Sequence, residues 1–204
     1  MKSSRSRFVA IVVAIAAAAA CTSRQSPAER SAQQEPPSGN RDALDESALK
    51  EFRQELSDYV ALHKKLASTL APLPTETSPE KIHAHERELQ KLIAAARARA
   101  QEGDLFVSEV RPMIRRIVTE VLSGPEGREQ LREIRDEAGE RKLSVELNAR
   151  YPDDVPLSAV PFDLLKALPQ LPEELEYRFL GNHLILLDVH ARMIADVLRD
   201  VLPR

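Results

Sequence analysis

Residues 175–188 read LEYRFLGNHLILLD, two apolar runs separated by Gly181 and Asn182. A two-residue connection of this kind is typical of a tight β-hairpin, because glycine and asparagine tolerate the left-handed backbone angles that the turn requires. The turn predicts two antiparallel strands, over 175–180 and 183–188. Its register pairs four residues of each strand: Phe179 with Leu184, Tyr177 with Leu186, Arg178 with Ile185 and Leu180 with His183.

Segments on both sides of the hairpin complete the predicted C-terminal half. Residues 143–151 alternate between apolar and polar side chains, which is the period of a half-buried strand. Together with the hairpin, this strand predicts a three-stranded antiparallel sheet. The order of the three strands is left open. A short helix is predicted over 162–168. Asp188 is placed to cap a final helix. The buried side of that helix is predicted to hold Ile194, Val197, Leu198 and Val201.

Two stretches of this half also carry a resemblance. Residues 171–179 (LPEELEYRF) and 184–194 (LILLDVHARMI) resemble segments of exported bacterial proteins of unknown function. The resemblance implies that the C-terminal block is a folded domain. It implies no activity and identifies no catalytic residue.

The segment before the sheet shows the alternating three- and four-residue spacing of amphipathic helices. The apolar stripe of the first helix holds Leu49, Phe52, Leu56, Tyr59, His63, Leu66 and Leu70. A second helix is predicted to begin with Ser78 as its cap and Pro79 as its first residue, and to end near Gly103. Its stripe holds Ile82, His85, Leu89, Leu92 and Ala96. One loop length aligns the two stripes as an antiparallel hairpin, which places His63 opposite His85.

Further helices are predicted over 108–122 and 126–138. The predicted fold class is therefore α+β. An N-terminal antiparallel helical hairpin and further helices precede a small three-stranded antiparallel sheet and a C-terminal helix. These elements are expected to form a single domain over residues 42–204, with a helical part over 42–139 and a sheet-containing part over 140–204.

The beginning of the chain is typical of an export signal. Three basic residues precede the apolar run 8–20, which is shorter than the roughly 20 residues that a membrane-spanning helix needs. The run ends in Ala18-Ala19-Ala20-Cys21, which resembles the bacterial lipobox, although that motif usually has a larger aliphatic residue at the position of Ala18. The resemblance implies that residues 1–20 are a signal peptide and that Cys21 is lipidated. The alternative is an ordinary secreted protein.

Residues 21–41 are predicted to form a disordered linker after the lipidated cysteine, because residues 22–40 are polar and lack large apolar side chains. The linker would tether the domain to a membrane through acyl chains. Thr22 stands where an aspartate typically retains lipoproteins at the inner membrane. The expected location is therefore the periplasmic side of the outer membrane, if the host is Gram-negative.

The charge balance and the cysteine count narrow the possible functions. The chain holds 29 basic and 32 acidic residues, and a net charge of −3 argues against a nucleic-acid partner. Cys21 is the only cysteine, so no disulfide can form within the chain.

The candidate for chemistry is the pair His63 and His85, whose imidazoles could bind a metal or a haem across the helical hairpin. We assign no metal and no cofactor from the sequence, because a metal site needs three or four ligands. A second set, His183, Asp188 and His190, is not expected to converge, because the hairpin register separates His183 from Asp188. No catalytic residue is assigned.

The sequence thus predicts a lipid-anchored protein of the cell envelope that acts as a binding or scaffolding module without catalysis. A periplasmic enzyme, or a metal- or haem-binding protein using His63 and His85, is the alternative. A further protein of the envelope is a possible partner of the domain.

Overall fold

The computed structural model describes residues 38–138, 145–153, 155 and 159–203, with side chains from Arg41 onward. The signal peptide, Cys21 and the linker up to residue 37 lie outside this part of the chain. Within it the class is α+β, as predicted, with five helices followed by three strands. The helices are α1 (Ser38–Ala67), α2 (Pro79–Ala96), α3 (Val110–Ser123), α4 (Gly127–Ala138) and α5 (Phe162–Ala167). The strands are β1 (Leu175–Leu180), β2 (His183–Asp188) and β3 (Met193–Leu198).

Helix α1 begins at Ser38, inside the segment predicted to be linker. Each residue added to an existing helix gains about one backbone hydrogen bond, so additional polar turns cost little free energy. An ion pair between Asp45 and Arg116 ties the N-terminal part of α1 to α3. None of the helices in the described residues is both long and apolar enough to cross a membrane.

Helices α1 and α2 pack together as the predicted hairpin. The α1 stripe is confirmed, with Phe52, Leu56, Tyr59 and His63 buried. On α2 the prediction is only partly right. Its buried residues are Leu89 and Ile93, one turn apart, whereas Ile82 and Ala96 are exposed. The helix ends at Ala96, short of Gly103.

The predicted hairpin register is confirmed in all four residue pairs, and the strand order of the sheet is β1-β2-β3. The predicted C-terminal helix is wrong, because Met193–Leu198 pairs with β2 as an antiparallel strand. All six of its residues are buried. A strand buried on both faces lacks the alternation that identifies a half-buried one, so periodicity does not distinguish it from a buried helix.

The strand predicted over 143–151 is also wrong. Residues 145–151 lie beside β3, but they form only one isolated bridge, between Arg150 and Met193. Asn148 adopts a left-handed φ of 61° and turns the segment, so a regular ladder cannot continue. Residues 143 and 144 lie outside the described residues. The segment still covers the sheet, since Val145 and Tyr151 belong to the apolar cluster on one of its faces.

The sheet is therefore buried on both faces. One face joins the helices in a cluster that extends from Ala48 on α1 to Val201 after β3. A β-bulge lies opposite Leu186 and Leu187, where the backbone carbonyl of Ala195 accepts a hydrogen bond from Arg97 at 2.8 Å. Arg97 follows the last residue of α2, and this bond ties the helical hairpin to β3.

A buried carboxylate in β3 holds the loop before α3. Asp196 is fully buried and accepts backbone N–H groups from Gly103, Leu105 and Phe106 at 2.7–2.9 Å. It also accepts the N–H of Val197 at 2.8 Å. Burial raises the pKa of Asp196 although these four hydrogen bonds act to lower it. Because all four donors are backbone groups, the role of Asp196 is to position the loop.

Candidate functional site

Asp188, the last residue of β2, is fully buried and is the centre of the candidate site. Its Oδ2 accepts a hydrogen bond from the Tyr59 hydroxyl at 2.7 Å and lies 2.6 Å from His63 Nδ1. Its Oδ1 accepts the backbone N–H groups of His190 and Ala191 at 3.1 and 2.9 Å. One carboxylate therefore joins α1 to the turn between β2 and β3.

Local geometry explains how each partner reaches Asp188. Tyr59 and His63 are four residues apart on α1, so both side chains lie on the same face of the helix. On the other side, Asp188 holds the β2–β3 turn with its own side chain, which is a common use of aspartate. Arg192 closes this turn with a left-handed φ of 45°. Asp188, which was predicted to cap a final helix, therefore caps the β2–β3 turn.

Burial and the adjacent Asp188 charge raise the pKa of Tyr59, so its hydroxyl stays a hydrogen-bond donor. Arg97 lies 5.0 Å above the Tyr59 ring. Because Asp188 Oδ2 is an acceptor, His63 donates to it through Nδ1–H. In the neutral imidazole this tautomer leaves the lone pair of Nε2 free, and no described residue forms a hydrogen bond with Nε2.

His63 lines a cleft of about 480 Å³ between the helical hairpin and the β2–β3 turn. The ring centroids of His63 and His190 are 5.5 Å apart. A ring nitrogen of each histidine and a carboxylate oxygen of Asp188 lie within 4.8 Å of one another. The other residues that line the cleft are Lys64, Ala67, Leu73, Ile82, His85, Glu86, Leu89, Glu174 and Val189.

Glu174, just before β1, gives the cleft a buried carboxylate. Only 3% of it is exposed. Its Oε1 lies 2.8 Å from Lys64 Nζ, whereas Oε2 is buried without a hydrogen-bond partner. Burial acts to raise the pKa of Glu174, but the hydrogen bond and charge of Lys64 outweigh it and hold the pKa below its usual value. The carboxylate therefore stays ionised and has one unsatisfied oxygen.

The predicted histidine pair is only partly right. His63 and His85 do line one cleft, but the described contacts include no hydrogen bond between them, and the partner of His63 is Asp188. The set His183, Asp188 and His190 does not converge as a whole, as predicted, but Asp188 and His190 come together with His63, a grouping that the sequence analysis did not foresee. The sequence analysis assigned no role in the site to Tyr59 or Glu174. The four-residue spacing of Tyr59 and His63 was the only available signal for Tyr59.

His183 lies apart from the cleft, as the register predicted. Its Nδ1 accepts the backbone N–H of Asp200 at 3.0 Å, which requires an unprotonated nitrogen. Burial lowers the pKa of His183, and Arg199 acts in the same direction, although the charges of Asp200 and Glu102 partly oppose the shift.

This lowered pKa predicts a pH dependence of stability. Below the ordinary histidine value of 6.5, the unfolded state binds more protons at His183 than the folded state, so stability falls with decreasing pH until the folded pKa is reached. Between pH 7 and 5 this effect should lower the free energy of unfolding of the native chain by up to about 1 kcal/mol. We expect His183→Gln to abolish this part of the pH dependence. Urea denaturation at both pH values measures it. An unchanged pH dependence in the variant would contradict the assignment, and His83→Gln is the matched control.

The chain was compared with family models, curated proteins and solved structures, and none of them matches it.

Proposed function

We propose that this chain is a lipid-anchored binding protein of the bacterial cell envelope, and that its ligand binds in the cleft beside His63 and His190. The observation that carries the binding site is the buried, unsatisfied oxygen of Glu174 in a cleft that His63 and His190 also line. His63 Nε2 and the buried Glu174 Oε2 have no hydrogen-bond partner among the described residues, although both side chains line the same cleft. Buried polar groups without partners are rare and indicate a missing interaction.

The lining of the cleft favours a small ligand. Five of the eleven described residues that line it are aliphatic, and the other six are polar or charged. A cleft that combines apolar surface with polar groups is typical of small-molecule sites. The net charge of −3 disfavours a nucleic-acid ligand.

The anchor is supported by the lipobox-like sequence that ends at Cys21. Acyl chains on this residue would hold the domain at a membrane, since two or more chains bind far more firmly than one. The proposed location is the periplasmic face of the outer membrane, where a further envelope protein is a possible partner.

We expect Cys21→Ser to move the protein from the membrane fraction of cells to the soluble fraction, because the serine hydroxyl does not replace the thiol that is acylated. Immunoblotting of fractionated cells measures this shift, and mass spectrometry of the mature N-terminus measures the acyl chains. Ser23→Ala is the matched control and should stay with the membrane. An unacylated native chain in the soluble fraction would contradict the anchor and leave the secreted alternative.

A second candidate is an envelope enzyme in which His63 acts as a general base. The hydrogen bond between Asp188 and His63 Nδ1 favours it, because a carboxylate in this position orients an imidazole and leaves Nε2 free to accept a proton. The described residues that line the cleft include no serine, threonine or cysteine, so the attacking group would be water. Hydrolysis of a model ester that disappears in His63→Gln but not in His83→Gln would favour the enzyme.

A further inference from the structure

We infer that a second cleft, where α3, α4 and Pro203 meet, binds a phosphate group through the guanidinium groups of Arg128, Arg132 and Arg135 (the cleft arginines). The cleft has a volume of about 420 Å³. It shares no described lining residue with the cleft beside His63. Binding here is therefore independent of the ligand site in the proposed function.

The spacing of the cleft arginines on α4 places all three in one cleft. They follow one another at steps of four and three residues, so they lie on one face of the helix. The other described residues that line the cleft are uncharged. None of the acidic residues of α4 lines it, namely Glu129, Glu133, Asp136 and Glu137. The cleft thus holds three positive charges and no described negative one, in a chain whose net charge is −3.

The cleft arginines also lack ionic partners among the described residues. Arg150 and Arg199 each form an ion pair with a carboxylate, whereas no described carboxylate pairs with any of the three. Arg135 donates a hydrogen bond to the backbone carbonyl of Pro203, which fixes one guanidinium at the wall of the cleft. Like charges that line one space repel each other, and an anion bound between them replaces this repulsion with attraction.

The rest of the cleft strengthens this attraction. Leu122 is fully buried and Leu131 is 8% exposed, so an apolar surface lies beneath the charged groups. Ions that are partly shielded from water are screened less than fully exposed ones. Ser123, which is exposed at the end of α3, adds a hydroxyl donor to the lining.

The number and type of donors select the class of anion. A guanidinium is a planar fork that stays charged and binds carboxylate or phosphate oxygens in pairs. A carboxylate has one charge, whereas a terminal phosphate group presents three acceptor oxygens and a charge of about −1.5 to −2 at pH 7. Three forks therefore match a phosphate better. Two sources offer this group: a soluble phosphate compound, or the headgroup of a phospholipid beside the proposed anchor.

The test has two arms, both with the full chain carrying Cys21→Ser, because acyl chains would themselves bind to vesicles. The first arm is calorimetric titration of sodium pyrophosphate at low ionic strength, since salt screens exposed charges. The second arm is co-sedimentation with phosphatidylcholine vesicles prepared with and without phosphatidic acid, whose headgroup is a terminal phosphate. We expect one pyrophosphate ion to bind per chain. Binding only to vesicles that contain phosphatidic acid would also support the site and would identify the lipid as the source.

Arg132→Ala is the main variant, because Arg132 is the middle one of the cleft arginines and is exposed, so its loss should leave the fold intact. We expect it to weaken binding at least about fivefold, since charge-assisted hydrogen bonds are about twice as strong as neutral ones. Arg132→Lys should weaken binding less but measurably, because lysine keeps the charge and loses the paired N–H groups. Arg87→Ala is the matched control. It removes the same charge from an exposed position on α2 and should bind as the background chain does.

Three outcomes would overturn the inference. The first is that neither pyrophosphate nor phosphatidic acid is bound. The second is an equal loss in Arg132→Ala and Arg87→Ala, which would mean that only the net charge matters. The third is full affinity in Arg132→Lys, which would mean that the guanidinium fork is not used.

Discussion

Replacement of Asp188 with alanine is expected to lower the free energy of unfolding by about 3–5 kcal/mol, the range typical of removing one partner of a buried polar network. Asp188 is 0% exposed and receives hydrogen bonds from Tyr59, His63 and two backbone N–H groups. Alanine would leave these donors buried without an acceptor. It would also remove the contact that joins α1 to the β2–β3 turn.

Chemical denaturation followed by circular dichroism measures this loss. Asp58→Ala is the matched control, because Asp58 is exposed on α1 next to Tyr59, and it should change stability by less than about 0.5 kcal/mol. A loss of less than about 1 kcal/mol in Asp188→Ala would show that the carboxylate does not hold the turn against the helix.

Asp188→Asn separates the structural role from the chemical one. The amide oxygen can still accept the N–H groups of His190 and Ala191, while the amide nitrogen must donate to His63 Nδ1. That change would place the proton of His63 on Nε2. We therefore expect a largely folded variant with the altered tautomer, which nitrogen chemical shifts of the His63 ring measure.

Replacement of Asp196 with alanine should destabilise the fold to a similar extent, by about 3 kcal/mol or more. The carboxylate accepts four backbone N–H groups, and the groups of Leu105 and Phe106 belong to buried residues. Without the acceptor the segment before α3 would lose its attachment to β3. Hydrogen exchange should rise at Gly103, Leu105 and Phe106, and the midpoint of denaturation should fall.

The Asp188 and Asp196 substitutions are expected to differ in their effect on the His63 ring in the cleft. In conditions where Asp196→Ala is folded, the ring of His63 should keep its tautomer, because no hydrogen bond of Asp196 reaches the site. Unchanged exchange at residues 103–106 would contradict the role of Asp196 in the loop. Gln101→Ala is the exposed control in the same loop.

The elements with a clear local signal were predicted well. Gly181 has the left-handed φ of 60° that the hairpin turn requires, and the register followed from the length of that turn. Pro79 begins α2 as the first-turn rule indicates. In these cases the interacting residues lie within a few positions of one another along the chain, so a short stretch of sequence is enough to predict the element.

Burial on two faces explains the main errors. Met193–Leu198 lacks alternation because helices cover one face of the strand and Val145, Tyr151 and Val155 cover the other. A helix was therefore predicted there. Residues 143–151 alternate as a strand does, but Asn148 turns the backbone and leaves one bridge. Neither outcome depends on local preference alone, since each depends on which other segment packs against it.

The amino-acid pattern was sufficient for the α+β class, for the two hairpins and for placing His63 and His85 along one cleft. Tertiary packing determines which residue forms the hydrogen bond with His63. Asp188 lies 125 positions away along the chain, and it reaches the imidazole only because the sheet packs on α1 and the β2–β3 turn faces Tyr59. Hydrogen bonds between such distant residues have no periodic signature, so they follow from the assembled core and not from any stretch of the sequence.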